Sequence, residues 1–313
     1  MSHFKNIILT ISLMVVMNSS VLAANAKFSF SVTPVAENVY SIVSSSLGLP
    51  TPENKGWNSN SHFVVTNKGV LLFDSGSSES IGNAIRSAIK SVTDKPVRWV
   101  INSHSHADHW LGNAAFTDTA EEIISSHHAV ATMRKYGPGD VEFYFKVTKG
   151  AIGSTQLVYP TLLLSQKQKR NFGGVDVEFI FPKDAHSSGD VLVWLPKHKV
   201  IFGGDVLSSD WMPIVGDGNI PNLINTLHTI KKLNPTIVLT GHGRATTVKS
   251  VIRDADLLSS VWEEVKTGNE KGKNSDEILQ NVRAKLGPKY RPLYKDFVSE
   301  IERHVKVMYQ LQQ

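Results

Sequence analysis

Between Asn102 and Trp110 the chain reads SHSHADH, so His104, His106, Asp108 and His109 place three imidazoles and a carboxylate within six positions. Imidazole nitrogen and carboxylate oxygen are donors that zinc and related divalent metals accept. A single histidine is ordinarily a solvated or hydrogen-bonded residue. Four donor side chains crowded directly behind an apolar run argue for a metal site. Three further apolar runs lead to a donor with glycine close by: Ala185-His186-Ser187-Ser188-Gly189-Asp190, Phe202-Gly203-Gly204-Asp205 and Thr240-Gly241-His242-Gly243. Glycine there permits the tight turn that brings a side chain inward. The chain has no cysteine, which excludes thiolate ligands and disulfides alike. Five histidines and two aspartates remain. That set is too large for one tetrahedral ion, and it suits two ions sharing a carboxylate.

Two divalent ions about 3.5–4 Å apart can share a water and lower its pKa from near 15.7 toward about 7. Hydroxide then attacks a carbonyl that one ion polarises, while the other stabilises the departing atom. Asp108 is placed to orient that water and carry its proton. Asp74, in FDSG, stands at another strand end, where a carboxylate can orient a ligand histidine.

The elements that must position these residues are legible as patterns. Segments 38–45, 62–66 and 70–74 are rich in β-branched and aromatic residues, with a turn at Asn67-Lys68-Gly69, and predict a strand meander. Apolar residues at helical spacing follow over 81–92, then a short buried strand over 97–101 that ends at the histidine cluster. Open α/β sheets place their chemistry at such strand ends. A strand at 121–126 and a helix from 128 continue the alternation, and Gly and Pro over 137–160 predict an irregular flap. Strands are then expected at 162–165, 175–181, 191–195, 200–202 and 236–240, with a helix at 222–233. From 248 onward the pattern is helical throughout.

The chain has 313 residues, 41% of them apolar, enough for a large core. Its N-terminus runs from Lys5 through the apolar stretch Ile7–Met17 to small residues at Ala23 and Ala26. This is the pattern of a cleaved secretory signal, too short for a membrane span. The expected organisation is a signal peptide over 1–23, with cleavage after 23 or 26, a catalytic domain over 27–247 and a helical extension over 248–313. The formal charge of +5 is scattered, with only a short basic cluster from Lys167 to Arg170 and no interleaved aromatics. Nucleic-acid binding is therefore not expected. The expected location is the periplasm or outside the cell.

The signature H-x-H-x-D-H, met by His104, His106, Asp108 and His109, resembles that of the metallo-β-lactamase superfamily, and the match runs over roughly 36–245. The resemblance implies that His104, His106 and His186 hold a first metal, that Asp108, His109 and His242 hold a second, and that Asp205 bridges them. The seven-ligand set is similar to that of the glyoxalase II branch and of exported zinc hydrolases associated with quinoprotein and sulfur-oxidation systems. His62 would then lie near the substrate face, and Trp211 in a loop flanking the metals; Trp57 falls in a second such loop. His127, His128 and His198 read as solvated. B1 β-lactamases have cysteine where Asp205 stands and a drug-binding lysine where Ser208 stands.

These readings converge on an α/β fold of the αββα sandwich type, with a helical C-terminal extension. The expected activity is that of an exported dinuclear hydrolase with two Zn2+, whose donors other divalent metals also fit. Its substrate would be a small carbonyl compound, a thioester or ester ahead of a lactone or β-lactam. Two alternatives are a mononuclear iron enzyme of the sulfur-oxygenase type and a metal carrier without turnover.

Overall fold

The computed structural model describes residues 28–45 and 48–313; the expected signal sequence and its cleavage sites lie outside them. The first strands are β1 (Val32–Ala36), β2 (Val39–Ile42), β3 (Ser61–Val65) and β4 (Val70–Phe73), an antiparallel meander. Helix α1 (Glu79–Lys90) crosses to β5 (Val97–Ile101), which pairs parallel with β4. A short helix α2 (Ala107–Trp110) leads by way of a 3-10 turn to β6 (Glu122–Ser126), α3 (His127–Val147) and β7 (Leu162–Leu164). These seven strands form one sheet in the order of the chain.

The second sheet contains β8 (Gln168–Phe172), β9 (Val175–Ile180), β10 (Leu192–Leu195), β11 (Val200–Phe202) and β12 (Ile237–Leu239), in the order β12-β11-β10-β9-β8. Helix α4 (Ile220–Leu233) makes the crossover that sets β12 parallel to β11. The C-terminal part is α5 (Val248–Glu270), α6 (Ser275–Lys285), the short α7 (Gly287–Tyr290) and α8 (Phe297–Leu311).

Strand periodicity explains the layering, because alternate side chains point to opposite faces of a sheet. In β4, Leu71 and Phe73 enter a core between the two sheets with Phe179, Val193 and Phe202. Val70 and Leu72 face outward and pack under Ile81, Ile85 and Ile89 of α1. In the second sheet Leu192, Trp194 and Ile201 face the other way, into a cluster with Leu223 and Leu227 of α4, Leu258 and Val261 of α5 and Ile301 and Val305 of α8. The order of layers is therefore helix, sheet, sheet, helix. The C-terminal helices share this outer core.

One expectation fails for an identifiable reason, and a strand lies where none was expected. The flap expected from 137 is helical as far as Val147, although Gly137 and Pro138 lie inside α3. Packing overrides propensity there. Gly137 lies so close to Trp110 that an added Cβ would meet the indole at 2.9 Å, and Val130, Met133 and Tyr144 are buried on the same helix. The basic cluster around Lys169 and Arg170 is an edge strand, β8, whose charges suit an unpaired edge.

Candidate metal centre

Parallel pairing brings the donors together. Phe73 is level with Ile101 in the β4–β5 pair, and Phe202 with Leu239 in the β11–β12 pair, so four strands end at one rim of the sandwich. Asp74 follows β4, the histidine cluster follows β5, Asp205 follows β11 and His242 follows β12. His186 comes from the connection between β9 and β10, whose shape Asp190 fixes by accepting from the His186 and Ser187 amides and the Ser187 hydroxyl. Because β3 runs antiparallel, its start at Ser61 delivers Asn58, Ser59 and Asn60 to the same rim.

Two clusters result. His104, His106, His186 and Asp205 each present an atom within 4.8 Å of the others, and so do Asp108, His109 and His242. Asp205 lies between them. Its Oδ2 is 3.3 Å from His242 Nε2, 3.7 Å from His186 Nε2 and 3.8 Å from His104 Nε2, and its Oδ1 is 3.4 Å from His109 Nε2. Asp108 Oδ2 stands 3.4 Å from His242 Nε2 and 3.6 Å from His109 Nε2. Room for Asp205 is made by Gly241, where any Cβ would lie 2.0 Å from its Oδ1.

Every one of the five rings is tied on its outer side. His109 Nδ1 donates to Asp74 Oδ2 at 2.8 Å. Ser103 Oγ gives its one proton to Asp74 Oδ2, so it accepts from His104 Nδ1 at 2.9 Å. His242 Nδ1 donates to the Asn58 carbonyl at 2.7 Å, His186 Nδ1 points to the Ile214 carbonyl at 3.5 Å, and His106 reverses the pattern by donating Nε2 to Asp217 at 3.0 Å. The inner nitrogens are therefore lone-pair bearers in the neutral rings of four of them, Nδ1 of His106 and Nε2 of His104, His109 and His242, while His186 turns Nε2 toward His106 Nδ1 at 3.2 Å. Among the described residues, His104 Nε2, His109 Nε2 and Asp205 Oδ1 are buried with no hydrogen-bond partner. Such atoms are costly unless something fills the space between them.

The electrostatics describe the same gap. Burial pushes His104 and His186 below the usual histidine range. Burial acts the same way on His109, but the carboxylates of Asp108, Asp205 and Asp74 outweigh it and hold that ring well above its usual value. Burial pushes Asp205 up, and His242 and His109 outweigh it and hold the carboxyl well down. The carboxylates draw in positive charge. A resident cation supplies it without protonating the ligands.

The residues expected around the ligands divide. Asp74 does hold His109 and, through Ser103, His104; its backbone also adopts φ 62°, uncommon for a residue other than glycine and tolerated best by Asn and Asp. Trp211 lines the cavity of about 630 Å³ that opens over both clusters. His62 does not line it: buried behind, it accepts from Ser41 Oγ and donates to the Thr240 carbonyl at 3.0 Å. Trp57 stacks on Phe30 away from the cavity. His127 and His128 are exposed, and His198 is half-buried.

Several supports were not expected from the sequence. Asn58 Nδ2 donates to Asp108 Oδ2, Ser59 holds the Asp108 carbonyl, and Asn60 donates to the Thr240 and Gly243 carbonyls. The run WNSNSH before a strand carried that signal. Asp217 was readable as the tip of a GDG turn, but nothing in the sequence pairs it with His106. Asp140 and Tyr144 line the cavity one helical turn apart on α3, and the expected flap obscured them.

A sandwich of this order with His and Asp donors on its strand ends defines a class, and comparison with known proteins gives it a name. A sequence profile of the metallo-beta-lactamase superfamily matches residues 54–242, and the chain belongs to that superfamily. It is 23% identical over 215 residues to the metallo-beta-lactamase type 2 of Elizabethkingia meningoseptica, covering 67% of this chain and 79% of that one. Over 305 residues it is 19% identical to the linear primary-alkylsulfatase of a Pseudomonas species, covering 78% of this chain and 53% of the other. Among solved structures, a metallo-beta-lactamase from Pontibacter korlensis superposes with a TM-score of 0.60 at 18% identity, covering 74% of this chain and 99% of that one. A double mutant of the sec-alkyl sulfatase PisA1 gives 0.69 at 16% identity, covering 90% of this chain and 50% of the other. Because it covers 90% of this chain, that superposition extends into residues 243–313. The chain thus spans about half the length of the alkyl sulfatases it matches.

Proposed function

We propose that this chain is an exported hydrolase working with two metal ions, zinc by preference, on a small substrate with an ester-like carbonyl bond. The observation that carries the reading is the inward aim of the donor set: five histidines tied on their outer nitrogens, with unpartnered buried atoms on His104, His109 and Asp205. His104, His106 and His186 would hold one ion, Asp108, His109 and His242 the other, and Asp205 both. When bound, such a pair lowers the pKa of a shared water and polarises the bond to be broken.

The chain's own groups do the rest. Asp108, steadied by Asn58 through one carboxylate oxygen, orients the attacking water and receives its proton. Tyr144 presents a phenol to the cavity, with its hydroxyl 3.5 Å from Asn58 Oδ1. Burial and the nearby Asp108 carboxylate push this phenol well above its usual range, so it remains a donor for oxygen on which charge develops.

Thioesters and esters rank above lactams. Ser208, in the position of a drug-binding lysine, donates its hydroxyl to Asp254 Oδ2 at 2.7 Å and offers a substrate carboxylate no charge. Export rests on the sequence of residues 1–26. The test is metal analysis of protein purified from the periplasm, followed by turnover of a thioester, lactone, β-lactam and sulfate-ester panel. Absence of turnover across the panel in zinc-replete protein would remove the hydrolase reading.

A further inference from the structure

The cavity above the clusters has an unusual rim. Leu49, from the connection between β2 and β3, Phe143 of α3 and Ile214, ahead of α4, are 75%, 48% and 39% exposed, and all three border this one opening. Isolated exposed apolar residues are common, but their collection around a concave site marks a surface used in binding. These side chains come from three distant parts of the sequence. The lining also includes Trp211 and Met212 and, from α8, Ser299, Glu300 and Arg303.

The charged groups on that wall restrict the occupant further. Apart from the two clusters, the described cavity residues carry Asp140, Asp296 and Glu300 against Arg303. The Arg303 guanidinium lies against the Gly216 backbone, next to the exposed carboxylate of Asp217. An anionic tail would meet more negative charge than positive there. An uncharged apolar tail would meet none of it and would bury itself against the rim.

We infer that the cavity grips the uncharged apolar tail of the substrate, an acyl or alkyl chain held between Leu49, Phe143 and Ile214, while the reacting bond lies over the metal ligands. This rests on the proposed function for the reacting end only. The volume of about 630 Å³ lies within the range of small-molecule sites, and each methylene buried on the rim should tighten binding up to about fourfold.

The test is displacement of the neutral dye Nile red from the zinc-loaded full chain by straight-chain alcohols from butan-1-ol to octan-1-ol. Affinity should rise about three- to fourfold per methylene. Phe143→Ser combined with Ile214→Ser should cut that increment below twofold while two zinc ions per chain are retained. Should the double variant misfold, Leu49→Ser, on an exposed connection, should lower the octanol affinity by about threefold. A flat series in the unaltered protein, or the same increments in the folded variants, overturns the inference. Turnover supplies the second arm: an octanoyl thioester should be preferred at least tenfold over its ω-carboxylate analogue, and an equal or reversed preference counts against an uncharged tail. No turnover of either, with the alcohol series intact, would sink the hydrolase reading and leave the apolar site standing.

Discussion

Asp74 Oδ2 accepts from His109 Nδ1 at 2.8 Å and from Ser103 Oγ at 2.8 Å, and Ser103 in turn accepts from His104. One buried carboxylate therefore sets the orientation of a histidine in each of the two clusters. Asp74→Ala should weaken both metal sites, by about 10- to 100-fold in affinity, the scale of losing an outer partner of a ligand histidine. Competition with a chromophoric zinc chelator measures this, and a variant that loses only one site would break the assigned relay through Ser103.

The proposed two-metal centre predicts two ions per chain. Folded protein dialysed against excess zinc should retain two, and Asp205→Ala should lose the ion held by Asp108, His109 and His242 more readily than the other. Saturation of the unaltered protein at one ion would exclude the dinuclear assignment. Full retention of two tight ions and of activity in Asp205→Ala would exclude the bridge.

Asp108→Asn keeps the shape of the side chain and its contact with Asn58 but removes the proposed base. Turnover should fall at least about a hundredfold, the scale of one positioned catalytic group, with an unchanged circular dichroism spectrum. Undiminished turnover would show that another group carries the proton.

Ser208, Tyr294 and Arg253 all donate to Asp254, which is buried in α5. Burial pushes its carboxyl up to about 6 despite those donors. A carboxyl raised in the folded state keeps its proton longer there than in the unfolded chain. Its contribution is complete below about pH 4 and is lost as pH rises through about 6, a loss on the order of 3 kcal/mol. In urea unfolding, Asp254→Asn should therefore gain on the unaltered protein by about that amount between pH 4 and pH 7. A difference between the two proteins that does not change with pH would contradict the raised carboxyl.

The sequence carries the sandwich and its clustered donor side chains well because both depend on local pattern. β4 alternates its faces residue by residue, β5 ends where the histidines begin, Asp205 and His242 sit beside glycines, and His186 stands three residues before one. What it conceals is set by distant contact. Asp217 lies 111 positions from the ring it holds, and Asn58 is 50 from Asp108. Pro138 read as the end of a helix because the burial that carries α3 past it, against Trp110 and the cavity, comes from the assembled fold.

His104, His106, Asp108 and His109 leave the first sheet, whereas His186, Asp205 and His242 leave the second, and each cluster takes donors from both. Ions held there would act as rivets through the sandwich, absent from any partly folded form in which only one sheet has been made. Rigidity would then be set by the surroundings as well as by the chain. Zinc a thousandfold above its dissociation constant adds about 4 kcal/mol per ion to the folded state. In a compartment starved of zinc, the same polypeptide would be the softer and more readily cleaved molecule, with its supply of metal deciding its lifetime.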